Sequence, residues 1–144
     1  MDIMKIKLVR EKAPEQYQDK ITNLECVPKI IQDYIGDEAK EHLIVICLGT
    51  NHTITGLHTV SQGTLTKSIC HPREVFKPAI LNNAKSIILA HNHPSGDIEP
   101  SEGDEGITAR IKEAGEILGI DLLDHIIVGF GTEEYYSFQA EGAL

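Results

Sequence analysis

The stretch "HNHPSGDIEPSEGD", residues 91–104, gathers two histidines, two serines and four acids directly after the apolar run "SIILA". On a strand, residues two apart project from the same face, so His91 and His93 can aim both imidazoles at one point. Catalytic zinc commonly takes three protein ligands and leaves a fourth position for water. Asp104, at the start of the next helix, completes such a set if the turn through "PSGDIEP" folds the helix end back over the strand. Ser101, one turn earlier, would then hold its hydroxyl beside the open position. The same residues also admit a reading without metal. A serine three residues before an acid resembles a helix N-cap with an acid in the first turn. An HxH pair recurs by chance, and Pro94, Ser95 and Gly96 are ordinary turn formers.

Either reading needs "SIILAHN" to be a buried strand and "SEGDEGITARIKEAGEILG" a helix. In that helix Ile107, Ile111, Ala114 and Leu118 recur at helical spacing, and Gly119 closes it. Upstream, "IMKIKLV" alternates with period two and predicts an edge strand whose lysines discourage pairing with another molecule. "APEQYQDKITN" reads as a loop. "CVPKIIQDY" reads as a helix with Pro28 in its first turn, Ile30, Ile31 and Tyr34 on one side, and Gly36 at its end. "LIVICL" suits a strand covered on both faces, and a turn at Gly49 to Asn51 leads into an alternating partner strand. "LTKSIC" predicts a third strand. "HPREVFKPAILNNAK" predicts a helix from Pro72 with Val75, Phe76, Ala79 and Ile80 inward. Pro78 should kink or shorten it. "DLLDHIIVG" and "YYSF" supply the last strands. Interleaved helices and apolar strands predict an α/β domain with a mixed central sheet covered by helices. Residues 1–40 would contribute an N-terminal strand and helix to the same domain, and residues 41–144 its core.

A single domain of 144 residues can bury roughly 68–70% of its unfolded surface, so it needs no disulfide framework. Cys26, Cys47 and Cys70 are widely spaced and form no CxxC pair, which points to free thiols in a reducing compartment. The N-terminus lacks an unbroken apolar segment, so neither a signal peptide nor a membrane span is expected, and a cytoplasmic location follows. Thirteen lysines and arginines stand against twenty-two acids, a net charge of −9. Phosphate binding depends on basic residues, so nucleic acid is a disfavoured partner for this chain alone.

HxH, seven residues, Ser, two residues, Asp: this spacing of His91, His93, Ser101 and Asp104 resembles the signature of the JAMM (MPN-type) metalloenzymes. The string "HPREVFKPAILNNAKSIILAHNHPSGDIEPSEGD", with the later "LLDHIIVG" and "YYSF", is similar to the RadC-like branch of that group. The resemblance runs from about Glu41 to the C-terminus. It implies a cytidine-deaminase-like α/β fold carrying one zinc on His91, His93 and Asp104. It also implies a proton-shuttling glutamate at the start of the strand after the first helix, and Glu41 in "KEHLIVICLG" matches that position. Glu74 is the rival, although the helix dipole alone accounts for an acid in a first turn. Asn92 between the histidines is the residue of the RadC-like branch, where deubiquitinating relatives carry Ser or Thr. The chain has little room for ubiquitin-gripping insertions, and its first forty residues are too few and too polar for the helix-hairpin-helix region of full-length RadC-like proteins.

The resulting expectation is a zinc hydrolase that cleaves a peptide or isopeptide amide, with Glu41 moving the proton and Ser101 stabilising the oxyanion. A metal-dependent nuclease or DNA-repair factor is the alternative, disfavoured by charge. A non-catalytic binding module is the second alternative, disfavoured by the retained signature. A nucleobase deaminase would need HxE or CxE with PCxxC, and the sequence has neither. His125 reads as a buried, hydrogen-bonded histidine or as a group standing behind the metal ligands.

Overall fold

The computed structural model describes residues 1–15, 24–63 and 70–144. Strand β1 (His42–Leu48) lies inside the sheet, and every residue from Leu43 to Leu48 is buried. An unbroken apolar run suits this place because both faces of the strand are covered. Leu43, Val45 and Cys47 enter one core and Ile44, Ile46 and Leu48 the other. On one side β1 pairs antiparallel with β2 (Ile54–Gln62), and on the other with β3 (Ser86–His93). β3 then pairs in parallel with β4 (Asp121–Gly129), and β4 antiparallel with the short β5 (Tyr135–Ser137). Among the described residues, the mixed sheet has five strands in the order β2-β1-β3-β4-β5.

Helix α1 (Val27–Ile35), with Pro28 in its first turn, lays Val27, Ile31 and Ile35 on the face of Ile44, Ile88, Ala90 and Val128. The opposite face is covered by α2 (Pro72–Leu81) and α3 (Glu102–Leu118), through Val75, Phe76, Ala79, Ile107 and Ile111. Parallel pairing of β3 and β4 requires a long crossover, and α3 is that crossover. It begins at the open end of β3, where His91 and His93 lie. The β3/β4 register slips between Ile87 and Ile88, so Leu122 and His125, three residues apart, pair with Ile87 and Leu89, two apart. Gly119 closes α3 in the left-handed region (φ 72°).

Several expectations are corrected. Residues 1–14 form no strand and are exposed, although Arg10 donates to the Thr55 carbonyl and the Asn82 side chain. Alternation makes a strand only where one face is buried, and Ile3, Met4, Ile6 and Val9 are all exposed. Ile80 is 53% and Leu118 48% exposed, and Tyr34 is exposed too. The inward face of α3 keeps Ile107 and Ile111, with Ala114 packed against the core, and adds Asp104, Thr108 and Gly115 in place of Leu118. Spacing on a helix fixes a face only modulo its neighbours, and here small and polar residues take the buried positions. Pro78 is accommodated inside α2, which ends at Leu81, short of the fifteen-residue stretch that suggested it. The strand expected over 65–70 and the loop over 13–23 fall largely outside the described residues.

Candidate metal centre

His91 and His93 leave β3 on the α3 face, and Asp104 comes from the first turn of α3. Their ligand atoms lie within 4.8 Å of one another. His91 Nε2 is 3.1 Å from Asp104 Oδ1, His93 Nε2 is 3.2 Å from Oδ2, and the two Nε2 atoms are 2.9 Å apart. Ligands at zinc bond lengths at the corners of a tetrahedron stand roughly 3.3 Å apart. The separations, which involve both Asp104 oxygens, fall within a few tenths of an ångström of that edge, so two imidazole nitrogens and a carboxylate converge as a donor set for a small divalent cation. His91 and Asp104 are buried, while His93 lies partly open on the outer side.

Ser101 is the N-cap of α3. Its hydroxyl accepts from Asp104 N at 3.1 Å, and its own N–H donates to Asp104 Oδ2 at 2.8 Å. The capping box and the metal cluster are therefore one structure, because the bond that caps the helix also orients the carboxylate toward the histidines. Burial alone would raise the carboxyl pKa of Asp104. Hydrogen bonds from His91, His93 and the Ser101 backbone outweigh that and hold it far below the carboxylate range. The hydrogen bond to Asp104 raises His93 above its ordinary value against the opposing effect of burial, with smaller help from the Asp97 carbonyl and the charge of Glu41.

Glu41 stands immediately before β1, half-buried, and its charge reaches His93. Glu74 lies on the surface of α2 and pairs with Lys77 at 3.2 Å and Arg73 at 3.5 Å. Those bonds, Lys77 first, lower its carboxyl. The charge of Glu41 is thus felt at His93, whereas Glu74 is engaged with Lys77 and Arg73 on the surface of α2.

Two contributors, Asn92 and Thr108, were not singled out from sequence for the parts they play, whereas His125 is both the buried, hydrogen-bonded histidine and the group behind a ligand that its sequence allowed. Asn92 points to the opposite face from its neighbours and is fully buried. Its Oδ1 accepts from His42 N at 2.6 Å, and its Nδ2 donates to the carbonyls of Lys40 at 3.0 Å and Glu38 at 3.3 Å. It fastens the segment carrying Glu41 to the strand carrying the histidines. His125 occupies the space behind His91, its Nε2 2.8 Å from His91 Nδ1 and its ring stacked on Phe138. Burial lowers its pKa well below the ordinary value. Thr108 completes the row, 2.6 Å from His125 Nδ1. The one signal for Thr108 was its place four residues after Asp104, on the same side of the helix.

Residues 21–143 match the RadC-like JAB domain family. The chain belongs to that family. It is 47% identical to a UPF0758 protein of Chlorobaculum parvum over 125 residues, covering 87% of this chain and 55% of the relative. A UPF0758 protein of Rubrobacter xylanophilus is 48% identical over 118 residues, 82% of this chain and 51% of the relative. One of Clostridium acetobutylicum is 45% identical over 136 residues, 94% and 58% respectively. This RadC-like domain thus spans about half the length of the curated relatives it matches. Its mixed sheet between helices and its His-His-Asp cluster are consistent with a JAB-type fold able to hold a metal ion. Among the described residues, no helix is long and apolar enough to cross a membrane.

Proposed function

We propose that the domain is a zinc-dependent hydrolase that cleaves an amide bond in a peptide or protein. The observation that carries this reading is the convergence of His91 Nε2, His93 Nε2 and the Asp104 carboxylate, with the charge of Glu41 acting on His93. When bound, zinc would supply Lewis acidity that polarises a carbonyl and makes water a nucleophile near neutral pH. The chain's own residues do the rest. His91 and His93 present neutral nitrogen donors, and Asp104 supplies the balancing charge. Glu41 takes the proton from the attacking water and returns it to the leaving amine. The Ser101 oxygen already accepts from Asp104 N, so its hydroxyl hydrogen is free to donate to the oxyanion.

A net charge of −9 opposes the approach of a polyanion, and exposed Asp97, Glu99, Glu102 and Glu105 surround the cluster. This favours an amide over a phosphodiester substrate. The free cysteines fit work in a reducing compartment such as the cytoplasm. The test is a parallel assay of zinc-loaded protein on a peptide library and on single- and double-stranded DNA, with Glu41→Gln as control. Peptide cleavage that disappears in the control is expected. Metal-dependent DNA cleavage lost in the same control, with every peptide intact, would replace this reading with the nuclease one.

A further inference from the structure

We infer that Thr108 and His125 are positioning residues: a hydrogen-bond chain running from the Asp104 carbonyl through Thr108 and His125 fixes the proton of His91 on Nδ1 and leaves Nε2 as an electron-pair donor. The inference deepens the metal reading and rests on it.

The chain has a direction because one member can donate only once. Thr108 Oγ1 lies 2.7 Å from the Asp104 carbonyl oxygen, which can only accept, so the single hydroxyl hydrogen is committed there. Toward His125 Nδ1, 2.6 Å away, the hydroxyl oxygen must therefore accept, and Nδ1 carries the proton. His125 is buried, stacks on Phe138 with an interplanar angle of 8°, and among the described residues meets a hydroxyl and an imidazole at its two nitrogens. With no carboxylate on either nitrogen, burial keeps the ring uncharged. Its Nε2 is then a lone pair, and His91 Nδ1, 2.8 Å away, must donate to it. That leaves His91 Nε2 without a hydrogen.

His93 reaches the same state by a different route, since its Nδ1 lies 2.7 Å from the Asp97 carbonyl and donates to it. When both ligand rings are neutral, two unprotonated Nε2 atoms 2.9 Å apart then face a carboxylate. Such an arrangement repels itself until a cation fills it. Thr108, which makes no contact with either histidine ligand's Nε2, thus helps decide whether the cluster is a metal site. Groups that orient metal-bound histidines typically change metal affinity by 10- to 100-fold when removed.

The test compares wild type, Thr108→Val, Thr108→Ser and His125→Phe by two readouts that do not depend on turnover. Nitrogen NMR of the imidazole rings in metal-free protein at alkaline pH should show Nδ1–H on His91, His93 and His125 in wild type and in Thr108→Ser. Without the threonine oxygen, His125 in Thr108→Val should move its proton to Nε2 and force His91 to carry its own on Nε2. Zinc affinity, measured by competition with a chromophoric chelator, should fall about 10- to 100-fold in Thr108→Val and return in Thr108→Ser. His125→Phe keeps a ring against Phe138 and should weaken zinc similarly, which keeps the inference testable if Thr108→Val does not fold. Unchanged tautomers with zinc affinity unchanged in Thr108→Val and His125→Phe would overturn it. Equal loss in Thr108→Ser and Thr108→Val would also overturn it, by showing packing to be the cause. Wild-type protein that binds no zinc would instead defeat the metal reading, and the metal-free spectra would still decide the direction of the chain.

Discussion

Three side chains near the cluster have separable jobs. If Glu41 moves the proton, Glu41→Gln should retain zinc and lower turnover at least about 100-fold, the usual size of a general-base contribution. Glu74→Gln, which loses only an exposed pairing with Lys77 and Arg73, should leave turnover unchanged. The two rates and the zinc content measured together decide between the glutamates. Ser101 both caps α3 and presents a hydroxyl, so Ser101→Ala should cost about 1 kcal/mol of stability. It should also slow turnover by roughly 100-fold or more if the hydroxyl serves the oxyanion. Denaturant unfolding and steady-state kinetics separate these losses.

The protonation of His93 gives a pH dependence with a definite sign. The folded-state pKa of His93 is raised, chiefly by Asp104. In metal-free protein its contribution to stability is present below the unfolded histidine value and disappears as pH rises through the folded one. Asp104 is shifted the opposite way, so its contribution is present at neutral pH and is lost as acid protonates the carboxylate. Zinc must displace the His93 proton. Its apparent affinity should therefore weaken as pH falls below the raised value, by up to tenfold per pH unit for one displaced proton. Zinc titrations across the acid range check this.

Among the elements, β3 and the start of α3 carry the site, and the segments leaning on them can be tested. Asn92→Leu would take away the acceptor of His42 N and a donor to the Lys40 carbonyl, which keeps only its contact with the His42 ring. It should destabilise the domain by about 1–3 kcal/mol and lower turnover more than it lowers zinc affinity, because the Asn92 side chain holds the segment that carries Glu41 and bonds to none of the ligands. Gly129 packs against the turn that follows His93, and a Cβ there would stand 2.7 Å from the Gly96 carbonyl. Gly129→Ala should displace that turn, whose Asp97 carbonyl holds His93, and weaken zinc binding without altering any ligand.

These elements also show what the sequence made legible. The strand-turn-helix logic of residues 86–118 could be read directly, because two-residue spacing on a strand and a capping pattern on a helix each fix a direction. The apolar continuity of Leu43 to Leu48 likewise predicts a strand covered twice over. The rotation of α3 was not legible, because hydropathy favours Leu118 over Gly115, whereas close approach to the Ile120 carbonyl requires the glycine. The Thr108–His125 chain was hidden for a related reason. It joins residues seventeen positions apart whose meeting depends on the register slip between β3 and β4. The exposed arm at residues 1–14 shows the limit of alternation as a signal, since period two describes a strand only when a sheet edge receives it.

Across the whole molecule, the metal reading couples ligand binding to stability. A ligand that binds only the folded state stabilises it by about 2.7 kcal/mol at a concentration one hundred times its dissociation constant. Zinc should raise the unfolding temperature of the wild-type protein and leave that of Asp104→Ala nearly unchanged. The acid excess should likewise keep the chain from binding duplex DNA at physiological salt, which fluorescence anisotropy can measure. The central claim, that β3 and α3 together build a zinc site, is tested most directly by zinc stoichiometry combined with X-ray absorption at the zinc edge, comparing wild type with His93→Ala. About one zinc per chain in a shell of two imidazole nitrogens and oxygen donors, lost in the variant, is the predicted result. Zinc present in substoichiometric amounts, bound through sulfur, or retained unchanged in His93→Ala would contradict it.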